Sequence, residues 1–263
     1  GFTVGSGNTS DGRTNQSSAT YCSWNWLAGG SASSNTDGSI TSSVSANTTA
    51  GFSIVSYTGT EANATVGHGL GVAPNLIIFK NRGRSDGDWI VGGDSIHSSW
   101  EKFLYLSGTN ASTDLNLFQD TAPTSSVFYL SGDGNINGTE NIIAYCFAEK
   151  KGYSKFGSFT GNGNADGAFV YTGFKPAWVM YKKTNSADNW YMLDNKRNEF
   201  NVVNKYFDAN TSDAEATFTF SDFLSNGIKF RDASANGSGD TYIYMAFAEN
   251  PFVTSGGIPT TAR

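Results

Sequence analysis

Apolar and polar residues alternate along much of this chain, and each alternating run is short. The run FSIVSYTG (52–59) alternates and then turns at its glycine, and ATVGHGLG (64–71) reads as a brief strand leading into a loop. NLIIFKN (75–81) is almost continuously apolar, as a central strand covered on both faces is. Pro74 stands just before it, where a fixed φ and a missing amide suit a strand entrance. DWIVGG, FLYLSG, LNLFQD, SVFYLSG and NIIAYCFAE follow at short intervals. Long helix-forming runs of Ala, Leu, Glu and Lys are absent. Aromatic and β-branched runs broken by Gly and Asn predict an all-β protein, and this strand spacing favours a β-sandwich or jelly roll over a βαβ unit. Asn137-Gly138 and Asn236-Gly237 read as hairpin turns, because both residue types tolerate positive φ.

The pattern is written twice. AYCFAE (144–149) returns as YMAFAE (244–249), and the YTG ending at Gly59 returns as the FTG ending at Gly161. GLGVAPNLIIFKNR (69–82) compares with YTGFKPAWVMYKKT (171–184): each has Gly-x-x-Pro, an apolar run and a lysine. Asp88-Trp89 matches Asn189-Trp190. The order of these landmarks predicts tandem units over 52–149 and 156–249, arising from an internal duplication. Residues 1–27 resemble the last hairpin of a preceding unit, with ATYCSW (19–24) answering IAYCFA. Residues 28–51 are a Gly/Ser/Thr-rich linker whose ITSSVS (40–45) can supply an edge strand, and 250–263 form a C-terminal tail.

The face pattern of the repeated strand gives a first reading of the cysteines. In IAYCFA, Ala144, Cys146 and Ala148 share one face, and Cys146 has Ala246 as its counterpart. A position that holds Cys in one unit and Ala in the other is a small buried packing site, so Cys146 is expected as a reduced thiol. Two cysteines, Cys22 and Cys146, are too few for a disulfide framework.

Composition narrows the partners. There are 17 Lys and Arg against 23 Asp and Glu, a net charge of −6, which speaks against a non-specific nucleic-acid binder. No stretch approaches the roughly 20 apolar residues of a membrane helix, so no membrane insertion is expected. The aromatic content, 14%, suffices for a core. The start at Gly1, inside an apparent strand, reads as a processed product or a piece of a longer chain.

Candidate chemistry is sparse. His68 and His97 fall in different loops and read as exposed loop histidines. Asp86, Asp88 and Asp94 are answered only by Asp188 and Asp194, so no catalytic carboxylate pair can be assigned. DGNING (133–138) and NGNADG (162–167) offer alternating oxygen ligands for a structural Ca²⁺. The first lacks the acid at position twelve of a calcium loop, where Ala144 stands. These readings assign no catalytic, cofactor or metal residue and predict a non-enzymatic protein. The aromatic residues in loops are the binding candidates: Trp24 and Trp26 as interface residues, Trp100 as an exposed aromatic able to stack on a sugar. Trp89 and Trp190, shared by the two units, are expected in core or inter-domain packing.

The stretches 35–59, 66–82, 143–183 and 244–252 together resemble a repeated β domain of structural proteins of marine tailed bacteriophages, often found beside lectin-like modules in tail or fibre proteins. Gly69-Leu70-Gly71 before Val72-Ala73-Pro74, and the AYCFAE strand, carry most of the likeness; the second unit departs from the first mark, with Tyr171-Thr172-Gly173. The resemblance implies a multimeric virion component of a tail or its fibres, located on the extracellular particle. Its partners would be copies of itself and other virion proteins, with a host-surface glycan as a further ligand. The alternative is a secreted or cell-surface carbohydrate-binding adhesin of a bacterium.

Overall fold

Antiparallel pairing organises the chain. The computed structural model describes residues 2–4 and 15–249. The first unit contains β1 (Ser33–Asn35), β2 (Ser42–Asn47), β3 (Phe52–Thr58), β4 (Ala64–Gly67), β5 (Leu76–Asn81), β6 (Trp89–Gly93), β7 (Lys102–Tyr105), β8 (Thr113–Asp114), β9 (Val127–Leu130), a one-turn helix α1 (Gly134–Asn137) and β10 (Asn141–Phe147). The second contains β11 (Ser154–Thr160), β12 (Phe169–Tyr171), β13 (Trp178–Lys183), β14 (Trp190–Asp194), β15 (Val203–Asp208), β16 (Ala216–Leu224), β17 (Gly227–Phe230), a 3-10 turn at Ser234–Asn236 and β18 (Thr241–Phe247).

The fold is all-β and sandwich-like. One eight-stranded sheet runs β1-β2-β3-β10-β5-β6-β7-β8 and the other β11-β18-β13-β14-β15-β16-β17-β12. In both units the first long strand pairs with the last, which pairs with the strand after the Gly-x-x-Pro loop, so β3-β10-β5-β6-β7 and β11-β18-β13-β14-β15 have the same order. They differ at the margin. β4 and β9 form a separate ribbon, whereas β16 joins the equivalent β12–β17 pair to the second main sheet.

Strand periodicity explains how the layers stack. On β5, Ile77 and Phe79 enter the first unit's own core, while Leu76 and Ile78 enter a layer between the two sheets. On β13, Val179 and Tyr181 face the second unit's core, and Trp178 and Met180 face the shared layer. The terminal strands divide likewise: Cys146 and Ala246 lie in the private cores, Phe147 and Phe247 in the shared layer, their rings 6.0 Å apart. Both central strands are therefore buried on both sides, which is why NLIIFKN lacks alternation. Cys146 is a buried free thiol, held strongly toward its protonated form by desolvation, and Cys22 is an exposed one.

Two local expectations are corrected. ATYCSW and the residues after it, to Leu27, form no strand; the described part of 1–27 is an irregular segment laid against the two units rather than a hairpin. Residues 1 and 5–14 of that segment, and the tail 250–263, lie outside the described residues. The Asn-Gly pairs do not form hairpin turns at positive φ: Gly138 has φ −63° and Gly237 φ −51°. Instead each asparagine is a fully buried staple. Asn137 donates to the carbonyls of Ala62 (2.6 Å) and Ser131 (2.7 Å) and accepts from the amide of Thr60 (3.0 Å). Asn236 donates to Asn164 and Asp232 carbonyls and accepts from the amides of Asn162 and Ala168. An amide side chain can satisfy donors and acceptors on several loops at once, which glycine-rich backbone needs when it is buried.

Candidate functional site

The second unit's core opens into a pocket of about 280 Å³ lined by Tyr181, Tyr191, Tyr206, Tyr242, Phe220 and Asp188 among others. Neighbouring strands set these residues side by side. Tyr181 on β13 is the ladder partner of Tyr191 on β14, and their rings lie 5.2 Å apart. Tyr206 on β15 and Phe220 on β16 continue the row, at 5.8 Å and 5.0 Å from Tyr191. Tyr242 on β18 closes the other side, 6.1 Å from Tyr181.

The polar groups at this pocket are held in place. Tyr191 Oη donates to Asp188 Oδ1 at 2.7 Å. Asp188 also meets Lys183 Nζ at 3.6 Å, and Lys183 bridges on to Asp240 at 2.9 Å. Tyr242 Oη accepts from the amide of Gly237 at 2.9 Å. The hydroxyl of Tyr181, a residue only 1% exposed, has no hydrogen-bond partner among the described residues. Desolvation raises the pKa of Tyr181, Tyr191, Tyr206 and Tyr242, with nearby carboxylates adding to it at each, so all four are neutral hydroxyls near pH 7. Burial, with Asp213 beside it, also raises the Asp208 carboxyl. The arrangement offers aromatic walls, neutral hydroxyls and one anchored carboxylate that accepts from Tyr191.

The residues singled out from the sequence lie elsewhere. Trp100 is not an exposed binding aromatic. It is 1% exposed, its Nε1 donates to Asp94 Oδ1 at 2.7 Å, and its ring packs on Phe118 at 5.3 Å. Its unmatched position in the repeat reflects a packing role peculiar to the first unit. Trp24 and Trp26 are half-buried and sit on the joint between the units of their own chain. Trp26 contacts Phe147, Trp178 and Phe247, with centroids 6.4, 5.2 and 5.4 Å away. Trp24 Nε1 donates to Asp194 at 3.3 Å, and its ring meets Phe207 and the Arg197 guanidinium.

His68 is not an exposed loop histidine. It is fully buried, with Nδ1 accepting from the Leu70 amide at 3.2 Å and Nε2 at 3.2 Å from the Thr124 carbonyl, and desolvation lowers its pKa. His97 Nδ1 lies 2.9 Å from Ser99 Oγ, and Ser99 donates to Glu101 at 2.6 Å. Here the hydroxyl stands between base and carboxylate, the reverse of the order in which a carboxylate orients a histidine to activate serine.

Several side-chain oxygens of the two calcium-like loops make hydrogen bonds or ion pairs. Asp133 Oδ1 caps the amide of Asn135, Asn162 and Asn164 accept from amides two residues on, and Asp166 pairs with Lys229 at 2.8 Å. A second cavity, about 360 Å³, lies in the shared layer between Trp26, Trp89, Tyr145, Trp178 and Met245 and is lined almost wholly by apolar atoms.

The profile of a family described as a domain of unknown function, DUF7483, matches residues 1–251. The chain belongs to the DUF7483 family. The match runs through both units, so the pocket lies inside the family domain. No curated protein and no solved structure matches the chain. Sequence reasoning missed the tyrosine pocket because each tyrosine, taken alone, reads as an ordinary strand aromatic. The available signal was their coincidence with purely apolar residues at the same places of the first unit.

Proposed function

We propose that this chain is a non-enzymatic structural component of a bacteriophage virion, in the tail or its fibres, that takes part in attachment to the host surface. The observation that carries the reading is the shared apolar layer: two sheets and the Trp24–Trp26 segment are joined through Phe147, Trp178 and Phe247 into one body. Such a joint resists shear between the units, as an appendage exposed to solution requires. The likeness of 35–59, 66–82, 143–183 and 244–252 to phage structural domains supports the same assignment, and the common strand order of the units supports their origin by duplication. The same reading makes the chain multimeric. Antibody raised against the chain is expected to decorate the tail or fibres of purified particles in electron micrographs. Labelling confined to bacterial cell surfaces would replace this assignment with that of an adhesin. Sedimentation as a monodisperse monomer would remove the multimeric part.

A further inference from the structure

Register makes the two units comparable position by position. Phe79 faces Ile90 across β5–β6 as Tyr181 faces Tyr191 across β13–β14. Phe103 pairs with Gly92 as Tyr206 pairs with Leu193, and Ile142 pairs with Asn81 as Tyr242 pairs with Lys183. At these four places the first unit has Phe, Ile, Phe and Ile, each no more than 1% exposed, under Trp100 and Phe118. Trp100 and Phe118 fit because Gly92 has no side chain: a Cβ there would stand 2.7 Å from either ring. The second unit has Leu193 at that place and Val203 where β7 is preceded by Trp100, so the same region is left open, and every one of the four apolar residues is a tyrosine. Two of the four hydroxyls are paired within the protein, Tyr191 with Asp188 and Tyr242 with the Gly237 amide, while the Tyr181 hydroxyl is buried at the pocket without a partner.

We propose that the tyrosine pocket of the second unit binds one neutral sugar ring of a surface glycan. Rings such as Tyr206 and Phe220 give an apolar wall for the C–H face of a pyranose, which is amphipathic in the way these walls require. Asp188 Oδ1 accepts from Tyr191 and the Asn189 amide, which leaves Oδ2, beside Lys183, as the acceptor for a sugar hydroxyl. Tyr181 Oη is buried beside the pocket without a partner, and a small shift of a neighbouring ring would let a sugar hydroxyl, which both donates and accepts, pair with it. The volume of about 280 Å³ suits a single ring rather than an extended oligosaccharide. Asp188, with Asp208, Asp213 and Asp240 close by, disfavours acidic sugars. An aromatic cage also attracts quaternary ammonium groups, but such a group leaves the Tyr181 hydroxyl unpaired.

The proposal deepens the attachment reading and rests on it only for where the glycan is displayed, so its test uses the isolated full chain. Methyl glycosides of glucose, galactose, mannose and N-acetylglucosamine are titrated by calorimetry and by NMR. At least one is expected to bind, with shifts centred on Tyr181, Tyr191 and Tyr206. Tyr181→Phe, which installs the first unit's own side chain, should weaken that binding about tenfold, the worth of one hydrogen bond, and Asp188→Asn should weaken it at least as much. Absence of binding by all four glycosides, or shifts mapping elsewhere in the wild-type chain, overturns the site. So does binding of tetramethylammonium without any glycoside, or affinity unchanged in both folded variants. A negative titration leaves the particle labelling intact. A positive one with label off the particle keeps the pocket and removes the virion.

Discussion

Single side chains at matching places of the two units show how much a position tolerates. Cys146 is fully buried among Ala144, Ala148 and Ile77, and the other unit places Ala246 there. Cys146→Ala should therefore cost no more than about 1 kcal/mol, and Cys146→Phe about 1–3 kcal/mol from overpacking; chemical denaturation compares the two. Asn137 is the opposite case, because three backbone groups, two in the β3–β4 loop and one in its own β9–β10 connection, depend on it. Asn137→Ala should cost roughly 3 kcal/mol or more by leaving them unpaired, and the loss should appear as a lower denaturation midpoint. His68 adds a pH dependence. Its folded pKa is lowered by burial, while in the unfolded chain it takes a proton near pH 6.5. Its contribution is therefore present above that pH and is lost as pH falls into the window below. Melting temperature followed from pH 7 to 5 should drop more steeply for the wild type than for His68→Gln.

At the scale of strands, the rule that alternate side chains take opposite faces governs both ionisable and apolar residues. Lys182 follows Trp178 and Met180 on the inter-sheet face of β13, so its ammonium is carried into the joint. It donates to the carbonyls of Thr109, at 3.2 Å, and Lys183, at 2.6 Å, and burial lowers its pKa from 10.5 to about 8. Between those two values the unfolded chain holds a proton that the folded chain has released, so stability rises with pH across the window. The buried Cys146 thiol, raised by desolvation, opposes it from about pH 9, where the unfolded thiol ionises, and the buried tyrosines oppose it higher up. Tyr57, Tyr181 and Tyr244 are raised by desolvation, so the unfolded chain ionises first and stability falls above about pH 10. Urea midpoints from pH 7 to 11 should rise and then fall, and Lys182→Met should flatten the rising limb while leaving the falling one.

The whole molecule is held by three apolar layers, and the middle one belongs to both units. Phe52, Leu76 and Phe147 from the first sheet meet Trp178, Met245 and Phe247 from the second, with Trp26 wedged at the edge. Units that share a layer lose it together, so calorimetry should give a single cooperative transition. Trp26→Ala should lower stability by about 2 kcal/mol, less than a fully buried tryptophan costs because this one is half-exposed, and should broaden or split the transition.

What the sequence alone determined was local and repetitive. Period-two alternation made the chain all-β, the unbroken run Leu76–Phe79 marked a strand covered on both faces, and the Cys146/Ala246 match marked a small buried site. These follow from the pleat, in which a residue's face depends only on its neighbours along the strand. The tertiary structure decided which residues of different strands meet. Trp100 follows a polar, serine-containing stretch and His68 sits in a glycine-rich one, both of which resemble exposed loops, yet the fold closes over both. Asn137-Gly138 has the composition of a hairpin turn, but its amide is buried where two loops meet. The tyrosine pocket depends on β13, β14, β15, β16 and β18 lying in one sheet, and on the absence of a cap like Trp100. Neither property is written in any one stretch of chain, because adjacency across a sheet is set by topology, and exposure by what packs above it.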